Sequence, residues 1–196
     1  YGDHRDLHKE YRRQRQMFIR DRMGSELKGK YLGIVGLGNI GKRLGRLARS
    51  LNMNIIGFDV VPIDEEFSKE VGLMKADLDT LLTSSDFISL HVPLIDSTRH
   101  MINAEKIASM KDTARIINTS RGGVIDEKAL ADALKTGKLA GAALDVFEVE
   151  PATSNELAVL PNFISTPHIG AQTKEAQSLA ANVIAEKIIQ ILRGVI

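Results

Sequence analysis

The chain switches hydrophobic period again and again. A short apolar run from Tyr31 to Val35 gives way at Gly36 to helical spacing through Leu44, Leu47, Ala48 and Leu51, and then to a second apolar run, Asn54 to Phe58. Period-two and fully apolar runs predict strands, and the three-to-four spacing predicts a helix between them. Val60 to Pro62 reads as a turn. Asp64 to Val71 and Leu78 to Thr83 read as short helices, the second with Asp77 as its N-cap. Phe87 to Val92 predicts a buried strand ended by Pro93, Ile102 to Met110 a helix, and Ala114 to Asn118 a strand. Asp126 to Thr136 predicts a helix closed by Gly137, a suitable C′ glycine. Leu139 to Val146 and Phe163 to Ser165 predict strands. Thr173 to Leu192 predicts a long helix with Leu179, Val183, Ile184 and Ile188 on one stripe and Gly194 after its end. Strands alternating with helices imply an α/β fold, a doubly wound parallel sheet covered on both faces.

The first turn carries chemistry. Gly36-x-Gly38-x-x-Gly41 lies between a strand and a helix, and Asp59 ends the next strand 18 positions past Gly41. The first glycine permits the sharp turn, the second lets a pyrophosphate approach the main chain, and the third lets helix and strand pack closely. Amides at the helix start then face phosphate, where the helix dipole favours negative charge. Asp59 is placed to accept hydrogen bonds from the adenosine ribose. Glycines also make plain packing turns, but strand, turn, helix and acid in this order predict a Rossmann-like dinucleotide site.

Composition changes this picture little. The 196 residues suffice for one good-sized core, and 43% apolar with 26% charged content is that of a water-soluble globular chain. A net charge of +1 gives no global field for nucleic acid or acidic partners. The absence of cysteine excludes disulfide and thiolate chemistry and is compatible with a reducing, cytoplasmic setting. No apolar run is long enough to span a membrane. Tyr1 to Lys30 holds nine Lys/Arg against five Asp/Glu, with Leu7, Tyr11, Phe18 and Ile19 as a sparse helical stripe. We read residues 1–26 as a connecting helical segment, 27–172 as the dinucleotide domain and 173–196 as a C-terminal helix.

In doubly wound sheets ligands lie beyond the carboxyl ends of the strands. Three predicted strands are followed by polar turns: Asn118-Thr-Ser-Arg-Gly-Gly123, Asp145-Val-Phe-Glu-Val-Glu-Pro151 and Thr166-Pro-His-Ile-Gly-Ala171. A histidine is the usual acid/base near neutral pH, a carboxylate beside it orients the ring and favours its charged form, and an arginine grips a carboxylate through two parallel hydrogen bonds. Together they suit reduction of a 2-keto acid by NADH. No set of residues has metal-ligand spacing, and His4, His8 and His100 read as surface residues.

These four motifs, in this order from about Leu27 to Gly194, resemble the NAD-dependent D-2-hydroxyacid dehydrogenase family, which includes phosphoglycerate dehydrogenases and hydroxypyruvate reductases. The resemblance implies that Arg121 binds the substrate carboxylate and carbonyl, that His168 is the acid/base and that Glu150 is its partner. It also implies that Asp145 holds the nicotinamide carboxamide. Gly36, Gly38, Asn39, Ile40 and Gly41 would lie on the pyrophosphate, and His91, Val92 and Pro93 beside the adenosine. Asn118, Thr119, Ser120 and Arg121 would follow the nicotinamide half, with His168, Gly170 and Ala171 on the same side. Glu148 and Glu150 compete for the histidine; the Glu-Pro match favours Glu150 and leaves Glu148 a solvated neighbour.

The resemblance also implies a substrate domain built from preceding sequence and a short C-terminal piece, so the chain looks like the nucleotide-binding domain alone. It implies a homodimer acting on a small 2-hydroxy or 2-keto acid, with no nucleic-acid or membrane partner. An NAD(H)-sensing corepressor-like protein on the same fold is the alternative reading. A formate dehydrogenase relative is disfavoured, because that branch is expected to pair the histidine with glutamine.

Overall fold

A computed structural model describes residues 24–152 and 155–194. The predicted helical segment 1–26 lies almost wholly outside the described residues, as do His4 and His8; residues 24–26 are not helical.

Seven parallel strands form one sheet: β1 (Tyr31–Val35), β2 (Asn54–Phe58), β3 (Met74–Lys75), β4 (Phe87–Leu90), β5 (Arg115–Asn118), β6 (Gly141–Leu144) and β7 (Phe163–Ser165). Their order is β3-β2-β1-β4-β5-β6-β7. Among the described residues six α-helices accompany them: α1 (Asn39–Ser50), α2 (Glu65–Val71), α3 (Leu78–Ser84), α4 (Ala104–Ser109), α5 (Glu127–Thr136) and α6 (Lys174–Leu192). The doubly wound expectation therefore holds. Alternate residues on a strand face opposite sides, so Ile34 and Ile55 pack with Ala48 of α1 and Phe67 and Val71 of α2. Val35 and Ile56 pack on the other face with Leu81 of α3, Ile107 of α4 and Leu130 of α5. Each such fully buried Leu or Ile contributes about 1.5–3 kcal/mol of burial.

The predicted elements are trimmed by their caps. Asp64, Asp77, Asn103, Asp126 and Thr173 each accept a backbone hydrogen bond at the start of α2 to α6. Gly137 closes α5 in the left-handed conformation at φ 74°. The strand predicted to Val92 stops at Leu90, although His91 N–H still bonds Val35 O at 2.8 Å. The strand predicted over 139–146 covers only Gly141–Leu144.

Two features differ in kind from expectation. The buried face of α1 is Gly41, Gly45 and Ala48, whereas Leu47 and Leu51 are 64% and 53% exposed. A Cβ on Gly41 would lie 2.1 Å from Gly36 O, and one on Gly45 would lie 2.9 Å from the Phe67 ring. The helix sits so close to β1 and α2 that small residues, with half-buried Leu44 beside them, form the contact, and Leu47 and Leu51 stay outside. Strand β3 carries no apolar signature, since both residues are exposed; it exists through edge pairing with Ile56 and Gly57. The long helix α6 forms as predicted, but its stripe of Leu179, Val183, Ile184 and Ile188 is exposed.

Candidate active site

The strand order reverses between β1 and β4, and the glycine turn leaves the sheet there. Gly36 has φ 93°, and a Cβ on it would lie 2.6 Å from His91 O, so glycine is required by both conformation and space. Alone among the described α-helices, α1 has no side-chain cap, and it has no acid in its first turn. Its start is exposed at Gly38, Asn39 and Ile40. Free helical N–H groups and open space, where the other helices place a carboxylate, amide or hydroxyl, fit a pyrophosphate.

Asp59 stands at the end of β2 beside this turn. Its Oδ2 accepts from Leu37 N–H at 2.7 Å and its Oδ1 from Val61 N–H at 3.1 Å, which leaves each oxygen a lone pair for a further donor. An open groove of about 630 Å3 begins there, lined by Asp59, Glu65, Lys75 and Asp77. Lys75 is paired with Glu65, so the groove keeps net negative charge. His91 is half-buried, with Nε2 2.9 Å from the Ser89 hydroxyl, and burial pushes its pKa down. Val92 is half-buried beside it, and Pro93 is exposed.

The three polar turns converge at the other half of the edge. Asn118 is buried, and its side chain is committed within its own turn: Nδ2 donates to Arg121 O at 2.9 Å, while Oδ1 accepts from Ser120 N–H and Oγ. This knot leaves Thr119 and Arg121 exposed, with Arg121 Nη1 donating to Ser120 O at 2.7 Å. A Cβ on Gly122 would lie 1.8 Å from Phe147 O, so the arginine turn rests directly on the backbone of the next turn.

That next turn carries Asp145 and Glu150. Asp145 is 5% exposed and clamps the histidine turn: Oδ1 accepts from Thr166 Oγ1 and from Ile169 N–H at 2.8 Å, and Oδ2 accepts from Gly170 N–H at 2.9 Å. Burial works to raise its pKa, but these hydrogen bonds outweigh it and hold the carboxyl below the ordinary range. The clamp fixes His168 at φ 54°, a left-handed conformation that costs a non-glycine residue about 1–2 kcal/mol. His168 Nδ1 lies 2.8 Å from Glu150 Oε2, and Glu150 Oε1 accepts from Phe147 N–H at 3.1 Å. The hydrogen bond from His168, helped by that from Phe147, lowers the Glu150 pKa. A largely apolar cavity of about 590 Å3, lined by Phe147, Pro151, Ala158 and Thr166, opens beside the pair.

A dinucleotide-ready turn thus shares one sheet edge with an Arg, Glu and His constellation. Residues 2–170 match the family described as D-isomer specific 2-hydroxyacid dehydrogenase, NAD binding domain. The chain belongs to this family.

Among relatives of this dehydrogenase domain, D-3-phosphoglycerate dehydrogenase of Methanocaldococcus jannaschii is 51% identical over 87% of the chain and 33% of that protein. Hydroxypyruvate reductase of Thermotoga maritima is 49% identical over 86% of the chain and 55% of that protein. The chain therefore spans a third to about half the length of these relatives. D-lactate dehydrogenase from Aquifex aeolicus, solved with NAD and lactic acid, superposes with a TM-score of 0.85 at 36% identity, covering 95% of this chain and 61% of that one. The relatives are dehydrogenases and reductases; nothing in the comparisons supports the corepressor-like alternative.

Two residues expected at the surface of the dehydrogenase domain lie there, with partners that sequence reasoning did not foresee. Glu148 is exposed, and its Oε1 lies 3.0 Å from His100 Nε2 and accepts from Glu127 N–H at 3.1 Å. His100 is a surface residue, its side chain 42% exposed and paired with Glu148; its backbone, at φ 48°, donates to Gly123 O at 2.8 Å. Sequence reasoning missed Glu127, whose Oε1 accepts from Glu148 N–H and whose Oε2 accepts from Asn155 Nδ2 at 2.6 Å. Its one visible signal was its place in the first turn of α5. Among the described residues no His, Asp and Glu group could hold a metal, and no described helix is long and apolar enough to cross a membrane.

Proposed function

We propose that the full-length protein is an NAD-dependent oxidoreductase that interconverts a small 2-hydroxy acid and its 2-keto acid. The observation that carries this is the 2.8 Å Glu150–His168 pair on a turn locked beside the Arg121 turn. Bound NAD(H) supplies the hydride chemistry. Arg121 grips the substrate carboxylate in a two-pronged fashion and polarises the carbonyl. Glu150 holds His168 Nδ1, so that Nε2 faces the substrate, donates the proton when the ketone is reduced and takes it back when the alcohol is oxidised. Gly36 to Gly41, Asp59, the His91 to Pro93 and Asn118 to Ser120 segments, Asp145, Gly170 and Ala171 bind the cofactor. Since the Asn118 side chain is occupied inside its turn, contact from that segment comes through its backbone and through Thr119.

In this reading residues 27–172 are the dinucleotide domain, preceded by a connecting helical segment and followed by a helix leading to a substrate domain. The exposed apolar stripe on α6 supports association with further protein surface. We assign the protein to the cytoplasm and to a homodimer, in keeping with a cysteine-free chain of this family.

A screen of 2-keto acids against the full-length protein, following NADH absorbance, tests the reading. Turnover with at least one is expected. Retained NADH binding without turnover of any 2-keto acid would refute it.

A further inference from the structure

Resting on that reading, we propose that Glu148, held by Glu127 and His100, is a positioning residue that sets the Glu150 carboxylate against His168. Successive acidic positions of the turn after β6 face different neighbours. Glu150 reaches His168, while Glu148 reaches His100 at 3.0 Å and the N–H of Glu127 at 3.1 Å. The contact with α5 is reciprocal, because Glu148 N–H donates to the Glu127 carboxylate. The other oxygen of Glu127 accepts from Asn155 at 2.6 Å. One side chain at the start of α5 therefore bridges a residue before Glu150 and a residue after it.

Glu127 holds this place against a gradient. Burial raises its pKa, and the charges of Glu148 and Glu150 add to the effect while its hydrogen bonds oppose it. Three carboxylates gathered on one side of a turn repel one another, and like charges this close cost free energy unless donors compensate. Here the compensation is specific: two backbone N–H groups, one amide and one imidazole hold the Glu127 and Glu148 pair. What the arrangement secures is the position of the backbone at Glu148, two residues before Glu150. Glu150 is exposed at the protein surface, and among the described residues its carboxylate bonds only Phe147 N–H and His168. Its aim is therefore set by the backbone that Glu127 and His100 hold at Glu148.

The test is a double-mutant cycle in the full-length enzyme, with a second readout independent of turnover. Glu148→Ala should lower kcat for ketone reduction about tenfold, as expected for loss of placement rather than of the group, with KM for the keto acid and affinity for NADH changed less than about twofold. Glu148→Gln keeps an acceptor oxygen and should restore most of the loss. Added to Glu150→Gln, Glu148→Ala should cause little further decrease, because the brace acts only through that carboxylate. Nitrogen-15 NMR of the imidazoles gives the second readout: Glu148→Ala should release His168 from one tautomer into a mixture, as Glu150→Ala should too. Additive losses in the cycle, or an unchanged His168 tautomer in Glu148→Ala, would overturn the proposal. Absence of 2-keto acid turnover in the wild type would instead refute the functional reading, and the tautomer measurement would still decide the brace.

Discussion

Asp145→Asn should unlatch the histidine turn. The wild-type carboxylate is buried and accepts three hydrogen bonds, from Thr166 Oγ1, Ile169 N–H and Gly170 N–H. An amide offers one accepting oxygen and turns an NH2 toward one of these donors. One hydrogen bond to a charged group is lost, worth about 1.5–3 kcal/mol, and the other two become neutral, a further loss of about 0.5–1 kcal/mol each. Opening of the turn should become easier by about 3 kcal/mol, or about a hundredfold. The left-handed backbone of His168 adds to the tendency to open. Hydrogen exchange of the Ile169 and Gly170 amides in the cofactor-free protein measures this directly. The sign of the pH dependence follows from the depressed carboxyl of Asp145. Its contribution is complete above the ordinary aspartate value of 3.8 and is lost as pH falls through the lower value of the folded state. Protection should hold from neutrality down to about pH 5 and fade only in strong acid, whereas the Asn variant should lack that acid step. Protection of both amides within about threefold of wild type would refute the clamp, since that difference is under 1 kcal/mol.

Calorimetric titration should show preference for NADH over NADPH, because Asp59 and the net negative groove beside it repel a 2′-phosphate by about a few kcal/mol; equal affinities would show that Asp59 does not face the ribose. Gly122→Ala should cut turnover about a hundredfold in the full-length enzyme, because its methyl group meets the Phe147 carbonyl and drives the Arg121 and Glu150 turns apart; near-normal kcat would mean the turns yield without consequence. Glu150→Gln should move the pH profile of ketone reduction to lower pH while leaving activity in acid, and His168→Ala should lose about a hundredfold or more. An unmoved profile in Glu150→Gln would remove that residue from its role.

The sequence by itself determined the alternation of strands and helices, the caps at Asp77 and Gly137, and the glycine turn with Asp59. These signals are local: period, cap chemistry and turn chemistry act within a few residues, and the chain from Tyr31 to Asp59 contains strand, glycine turn, helix, second strand and acid in one stretch. The pairing of Glu150 with His168 was also legible, through motifs rather than through physics, since 18 residues and a strand separate them. Tertiary structure alone decided that the glycines of α1, with Leu44 and Ala48, face inward while Leu47 and Leu51 face out, because only the closeness of β1 and α2 selects between them. It alone made β3 a strand, by offering two exposed residues the free edge of β2. It alone gave Glu148 a function, by bringing His100, Glu127 and Asn155 to one turn from three separate segments. No period or spacing encodes such a meeting, because it depends on sheet order and on the length of every connection between those segments.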